Sequence, residues 1–318
     1  MTVLVDIVFW TWEKFPLWFR VRSGMVVGWL LRCVFRFRRD VVEGQVQASF
    51  PELDGCERGA MIRDVYRHLG LLLTELFALP TIPRDTLLSL CCFEGLEHLL
   101  AALSEGKGAF VLAAHSGNWE LGLVASAYQL AGSGNEGHPT HIIVKEIKGR
   151  VGNYASRRLR EPHGVSLIPR KQALRRIKGA LADGAAVGFV LDQNMTSDEG
   201  VFVDFFGRPA CTMSGLALLS QRYHVPVVPA CFRRDPDLRR HHIRFLPPIE
   251  WENVGDSLEQ SIVHNTQRYT GCLESMIRAC PAQWLWIHRR WKTKPAPGSV
   301  PVPTPEPASS PDERPEND

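Results

Sequence analysis

The run Phe110-Val-Leu-Ala-Ala-His115-Ser-Gly-Asn-Trp-Glu120 sets an imidazole and a carboxylate five positions apart where an apolar stretch gives way to a helix start. With 11 histidines and 34 acids in 318 residues, about one such pair is expected by chance, and a second does occur, His141 to Glu146. Context separates them. His141 opens a strand-like alternation with no turn beside it, whereas Ser116-Gly117-Asn118 after His115 reads as a turn into a helix. On one continuous helix, residues five apart point roughly 140° away from each other. With His115 in the turn and Glu120 in the first helical turns, the two can meet. A carboxylate on one imidazole nitrogen fixes the tautomer and leaves the other nitrogen as a base able to deprotonate an alcohol. The adjacent helix N-terminus offers backbone N–H groups to an oxyanion. The bland alternative is a core histidine in a capping network.

The elements around this pair follow a recognisable order. Residues 40–103 read as helical, with apolar side chains at three-to-four spacing in the run Met61, Ile62, Val65, Leu69, Leu72, Leu73 and Leu76, which Pro80 and Pro83 close. Beyond Gly106, residues 109–114, 142–144, 186–191 and 225–232 read as buried strands. Residues 118–130, 172–182 and 215–223 between them read as helices. The expectation is an α/β fold, a mostly parallel sheet flanked by helices with an N-terminal helical region. Asp192 follows one apolar run directly, at a strand-end position where function and hydrogen-bonding support are both open. Residues 200–207 read as a hydrophobic hairpin, either core or a wall for an apolar ligand. Trp284, Trp286 and Trp291, near Arg289, Arg290 and Lys292, suit either a head-group layer or a core.

Near the N-terminus no stretch reaches the roughly 20 apolar residues that span a bilayer, since Asp6 interrupts residues 1–12. From Lys14 to Arg39 there are seven basic residues and no acid, interleaved with Phe15, Trp18, Phe19, Trp29, Phe35 and Phe37. Residues 1–40 are therefore expected to form an amphipathic segment lying on a membrane surface, residues 41–294 the main domain, and the proline-rich acidic residues 295–318 a disordered tail. The net charge is +3; the tail holds five acids against Arg314, which leaves the rest of the chain at +7 and suited to anionic partners. Eight scattered cysteines with no Cys-x-x-Cys pair or zinc-like spacing, and no signal-peptide cleavage site, suggest reduced thiols and a cytosolic location or the cytosolic face of a membrane; no metal and no cofactor is expected. Absence of Gly-x-Ser-x-Gly and of a P-loop speaks against a hydrolase or nucleoside-triphosphate enzyme, and no nucleic-acid-binding module is present.

Several ordered segments together resemble the late acyltransferases of lipid A biosynthesis, the lauroyl/myristoyl family within the glycerolipid-type His-x4-Asp/Glu acyltransferases. The resemblance spans about residues 93–292. It is carried by His115-Ser-Gly-Asn-Trp-Glu120, Arg160 with Gly164 and Ile168, Asp192-Gln193-Asn194, the Gly200 to Gly207 segment with Thr212, Val225-Pro-Val-Val-Pro229 with Arg233, and Gln283-Trp-Leu-Trp-Ile-His-Arg-Arg-Trp-Lys292. It implies that His115 is a general base oriented by Glu120, that acyl carrier protein donates the acyl group, and that the acceptor is a hydroxyl of a lipid A precursor. It further implies substrate-binding roles for Arg160, against phosphate or oxyanion, and for Asp192, Gln193, Asn118 and Gly117, at the cytoplasmic face of the inner membrane. This chain departs from the family in lacking an uninterrupted spanning helix and in an apparent insertion at residues 132–138. Acylation of another phospholipid or glycolipid, or a silent membrane-binding homologue, are the competing readings.

Overall fold

The computed structural model describes residues 2–132, 137–145 and 149–296. The tail from residue 297 on, Glu146, and most of the insertion at 132–138 lie outside the described residues. The N-terminal part comprises α1 (Thr2–Glu13), α2 (Leu17–Trp29), α3 (Arg39–Ser49), α4 (Gly55–Ala78) and α5 (Arg84–Ser89), then β1 (Cys91–Glu94) and α6 (Leu96–Ser104). Strands and helices next alternate through β2 (Ala109–Ala113), α7 (Trp119–Ala131), β3 (Thr140–Val144), α8 (Arg150–Arg158), β4 (Val165–Pro169), α9 (Ala173–Ala182) and β5 (Ala186–Val190). The hairpin of β6 (Gly200–Asp204) and β7 (Pro209–Met213), then α10 (Gly215–Tyr223), β8 (Val227–Arg234), β9 (His241–Phe245) and α11 (Leu258–Ala279) complete the chain.

Seven strands form one sheet in the order β1-β9-β8-β2-β5-β3-β4. All neighbours are parallel except β8 and β9. The α/β architecture expected from the alternating strands and helices is therefore present. Residues 91–94, within the stretch expected to be helical, instead form β1, which pairs with β9 at the sheet edge. Four residues held by a partner 150 positions away carry no local signal that outweighs the helical pattern around them.

Strand β2 is continuously apolar because helices cover both its sides. Phe110 and Leu112 pack with Phe189, Ile177, Leu216 and Tyr269 on one side. Ala109 and Ala113 pack with Leu99, Leu103, Leu121 and Val124 of α6 and α7 on the other. The β6–β7 hairpin belongs to the core: Phe205 and Phe206 are buried against Trp284, Trp286 and Trp291. These tryptophans are thus core residues and not a head-group layer. Arg290 is wholly buried with them, donating to the carbonyls of Gln193 and Cys211 and to Thr212 Oγ1.

Helices α1 and α2 pack on α4, with the Trp12 indole donating to the Thr74 carbonyl at 2.7 Å. Asp6, the acid that interrupts the apolar run, accepts from Tyr154 Oη and Arg158 Nε and so ties α1 to α8. The outward side of this pair keeps Trp10, Trp18 and Trp29 more than half exposed, along with Phe35. Among the described residues no helix is long and apolar enough to cross a membrane.

Helices α2 and α4 cross at glycines. A Cβ on Gly70 would lie 2.1 Å from the Gly24 carbonyl oxygen and 2.4 Å from the Gly28 nitrogen, both backbone atoms that can yield only if the helices separate. Gly59, on the same helix, faces open space. Gly70→Ala is expected to destabilise by about 1–3 kcal/mol, read as a lower thermal midpoint with earlier proteolysis of the N-terminal helices. Gly59→Ala should be neutral or slightly stabilising.

Candidate functional site

Parallel pairing decides the centre of the site. Ala113 on β2 lies opposite Val190 on β5. Two residues further along each chain, His115 stands beside Asp192. The His115 Nδ1–H donates to Asp192 Oδ1 at 2.7 Å, and the His115 backbone N–H donates to Oδ2 at 2.9 Å. The Trp284 indole also donates to Oδ2, at 2.6 Å. Asp192 is buried, which raises a carboxyl pKa, but the His115 charge and these hydrogen bonds win and hold it at about 2. Burial likewise pushes the His115 imidazole down; the charge and hydrogen bond of Asp192, with the nearby Glu120 charge, overcome that and leave its pKa raised. A carboxylate that only accepts puts the proton on Nδ1, so Nε2 is the basic nitrogen.

The hydrogen bond expected from Glu120 to His115 is therefore made by Asp192. Glu120 does lie in the first turn of α7 but grips Arg160 through both oxygens, with Arg160 Nε donating to Oε2 at 2.8 Å and Nη2 to Oε1. A planar guanidinium offers a permanent charge and a matched pair of donors, which a neutral imidazole does not. Ser156 holds Arg160 from the other side through Oγ at 2.6 Å and its carbonyl. Trp119 packs edge-on to the His115 ring, 5.0 Å between centroids, and donates to Glu120. The Gln193 amide nitrogen lies 3.2 Å from His115 Nε2.

Gly117 and Asn118 do not line the cleft, contrary to the substrate-binding role expected of them; they shape the turn that presents His115. Gly117 has φ of 59°, and a Cβ there would meet the Phe232 carbonyl oxygen at 2.3 Å, so glycine is required twice over. Its N–H donates to the Gln283 carbonyl and its own carbonyl accepts from His68. Burial drives the His68 pKa down to about 3, so it is a neutral donor. Asn118, 2% exposed, caps α7 by accepting from Leu121 N, while its amide donates to Glu75 at 2.7 Å. Glu75 is in turn clasped by Arg234 and His241, and the Arg234 charge holds its carboxyl pKa well below the usual range against the upward push of burial. Leu285 N–H donates to the His115 carbonyl, closing the turn on its last side. Sequence reading missed Glu75 and His68; the available signal was two ionisable side chains set among the leucines of the second half of α4.

His115, Trp119, Glu120, Arg160 and Gln193 stand at the mouth of a cavity of about 400 Å³. It runs between the sheet and α7, where Ala113, Ala186 and Gly188 on the strands are too small to reach Leu123, Ser126 and Leu130 on the helix. Thr140 pairs with Ala186, which pairs with Ala109, so the far end lies four residues below Ala113, or about 13 Å at strand rise. An extended chain advances ~1.2 Å per bond, so roughly ten to fourteen carbons fit between His115 and the floor at Leu99, Leu130 and Thr140. Lys145 and Arg170 also border the cavity. Among the described residues no group of three or more His, Cys, Asp or Glu is arranged to hold a metal.

The family model described as bacterial lipid A biosynthesis acyltransferase matches residues 1–293. The chain is 26% identical over 290 residues to the lipid A biosynthesis palmitoleoyltransferase of Escherichia coli K12, covering 91% of this chain and 90% of that protein. It is 26% identical over 291 residues to the lipid A biosynthesis lauroyltransferase of the same organism, with the same coverage. A phosphatidylinositol mannoside acyltransferase of Mycobacterium tuberculosis is 26% identical over 230 residues, 68% of this chain and 66% of that protein.

Because Asp192 raises the His115 pKa, activity that needs neutral imidazole should climb with pH through a midpoint above the ordinary value of about 6.5. Asp192→Asn removes that charge. The acidic limb of the kcat/KM profile should then move to lower pH while the plateau falls by roughly 10² to 10⁴. A pH–rate series on both proteins checks the two shifts together; an unmoved limb would show that another group titrates.

Proposed function

As a chain that belongs to the bacterial lipid A biosynthesis acyltransferases, the protein is an O-acyltransferase, and we propose that it moves a medium-length acyl group from acyl carrier protein to a hydroxyl of a lipid A precursor, with His115 as general base. The observation that carries this reading is one basic nitrogen, backed by a buried aspartate, at the mouth of a deep apolar cavity of acyl-chain size.

In the proposed reaction the acyl chain lies in the cavity with its thioester carbonyl beside His115. The acceptor hydroxyl replaces the Gln193 amide at Nε2 and gives its proton to that nitrogen as its oxygen attacks the carbonyl carbon. A C–O bond forms and the carbonyl electrons move onto oxygen. The Arg160 guanidinium and the displaced Gln193 amide are the donors nearest to that oxyanion. Collapse breaks the C–S bond, and the imidazolium returns the proton to the departing sulfur. Asp192 stabilises the imidazolium, and Glu120 keeps Arg160 aimed at the mouth. Residues 1–40, with their outward tryptophans and cations, adsorb to the cytoplasmic face of the inner membrane without spanning it and bring the cleft to its lipid acceptor. The similarity to a phosphatidylinositol mannoside acyltransferase favours, as a second reading, a glycolipid acceptor of another kind.

Given lauroyl-carrier thioester and lipid A precursor, the purified enzyme should acylate the precursor, and His115→Ala should lose at least about 10² of the rate; intact turnover by that variant would falsify the base assignment. Mass spectrometry of lipid A from a deletion strain should show one secondary acyl chain missing, whereas an unchanged profile transfers weight to the glycolipid reading. Gly188→Val puts a side chain into the cavity midway along its length, where the flexible end of Ile142 is the atom that must give. Competition among donors of graded length should then shift the preference to shorter chains, with the shortest donors little affected; a uniform loss across lengths would separate the cavity from chain selection.

A further inference from the structure

The basic residues that lead into and follow β4 divide into two sets. Arg157 pairs with Glu161, Arg158 with Asp6, Arg160 with Glu120 and Arg170 with Glu199. Lys171, Arg175, Arg176 and Lys178, immediately beyond, are all exposed and form no ion pair with any described residue. Leu174 lies among them, 60% exposed. No acid occurs from residue 162 until Asp183. Two of these cations, Arg175 and Arg176, sit in the first turn of α9, where the positive end of the helix dipole disfavours them. Local stability therefore gives no reason for the cluster. Its position does: α9 starts at the carboxyl end of β4, and Arg170, one residue before Lys171, borders the cavity mouth.

We propose that Lys171, Leu174, Arg175, Arg176 and Lys178 form the docking surface for the acidic protein that delivers the acyl thioester, an inference that rests on the carrier being the donor. An uncompensated cationic patch with one apolar side chain at its centre fits a partner whose surface is acidic with a small apolar contact. Docked there, the partner holds its thioester arm at the cavity mouth, about 10 Å from the far end of the patch by helix rise. A membrane surface is the other anionic candidate, but the two faces differ in kind. The N-terminal helices expose Trp10, Trp18 and Trp29, the residues of a head-group layer, whereas the α9 patch has no aromatic side chain at all.

The full-length protein carrying Arg175→Glu, Arg176→Glu and Lys178→Glu is the test, with the same three positions changed to Gln as a milder variant and thermal midpoints confirming that both fold. Donors are an acyl carrier protein thioester and the same acyl group on pantetheine, which has no protein surface. The expected result is a KM for the carrier thioester raised at least tenfold in the charge-reversed protein and less in the Gln variant, with kcat within about twofold. The KM for acyl-pantetheine and binding to anionic phospholipid vesicles should stay unchanged. For the wild type, rising salt should raise the carrier KM, and this dependence should flatten in the variants. An unchanged carrier KM overturns the docking surface while leaving the carrier as donor. Equal losses with both donors, or a loss that tracks vesicle binding, overturn it as well. A wild type that uses acyl-pantetheine but never the carrier thioester overturns the donor reading itself.

Discussion

The contact on which the site depends is the hydrogen bond between His115 and Asp192, and it exists because two parallel strands end in register. A carboxylate buried to 3% exposure is costly unless its lone pairs are satisfied. Here the His115 ring, the His115 backbone and the Trp284 indole all donate to it. Each of those donors is fixed from elsewhere: His115 by a turn that glycine alone can make, and Trp284 by the edge-on rings of Phe205 and Trp286 in the core. Removing the acid would thus disturb the tautomer of the base, the turn that carries it and the segment that closes over it.

The same turn ties the helical N-terminal region to the chemistry. His68 and Glu75 on α4 reach the Gly117 carbonyl and the Asn118 cap, and Arg234 links Glu75 to β8. Arginine 290 does the equivalent from below, bonding the Gln193 carbonyl while its own N–H is received by Gln45 of α3. Helices that pack against a sheet need only apolar faces. These carry His68, Glu75 and Gln45 turned toward the Gly117 carbonyl, the Asn118 side chain and the backbone of Trp286, His288 and Arg290, an arrangement that fixes position at some expense to stability.

Much of this was legible in the residues. Strands 109–113 and 186–190 announced themselves as apolar runs, and the His115 turn by Ser-Gly-Asn before a helix. The partner of the imidazole was not. Glu120 is near in sequence and Asp192 is 77 positions away, and only the order of strands in the sheet makes the distant acid the adjacent one. The role of Arg160 in holding Glu120 was hidden among neighbouring arginines, because charge patterning cannot say which of them meets a buried carboxylate. The core position of Trp284, Trp286 and Trp291 was equally open, since a tryptophan beside a cation suits both a head-group layer and a packed interior until its neighbours are known.

The cavity follows from the same economy of side chains. Were a void of about 400 Å³ sealed and empty, at ~24 cal/mol per Å³ it would cost about 10 kcal/mol, the scale of a whole domain's stability. Packing alone would have replaced Ala113, Ala186 or Gly188 with the branched residues that β-strands favour. That these positions stay small on the α7 side, while Phe110, Leu112 and Phe189 fill the other side to density, makes the void a property of one face of the sheet. A space that the fold could close at no cost to its architecture, but leaves open directly below the one basic nitrogen of the site, is shaped for an occupant that supplies the missing apolar contacts itself.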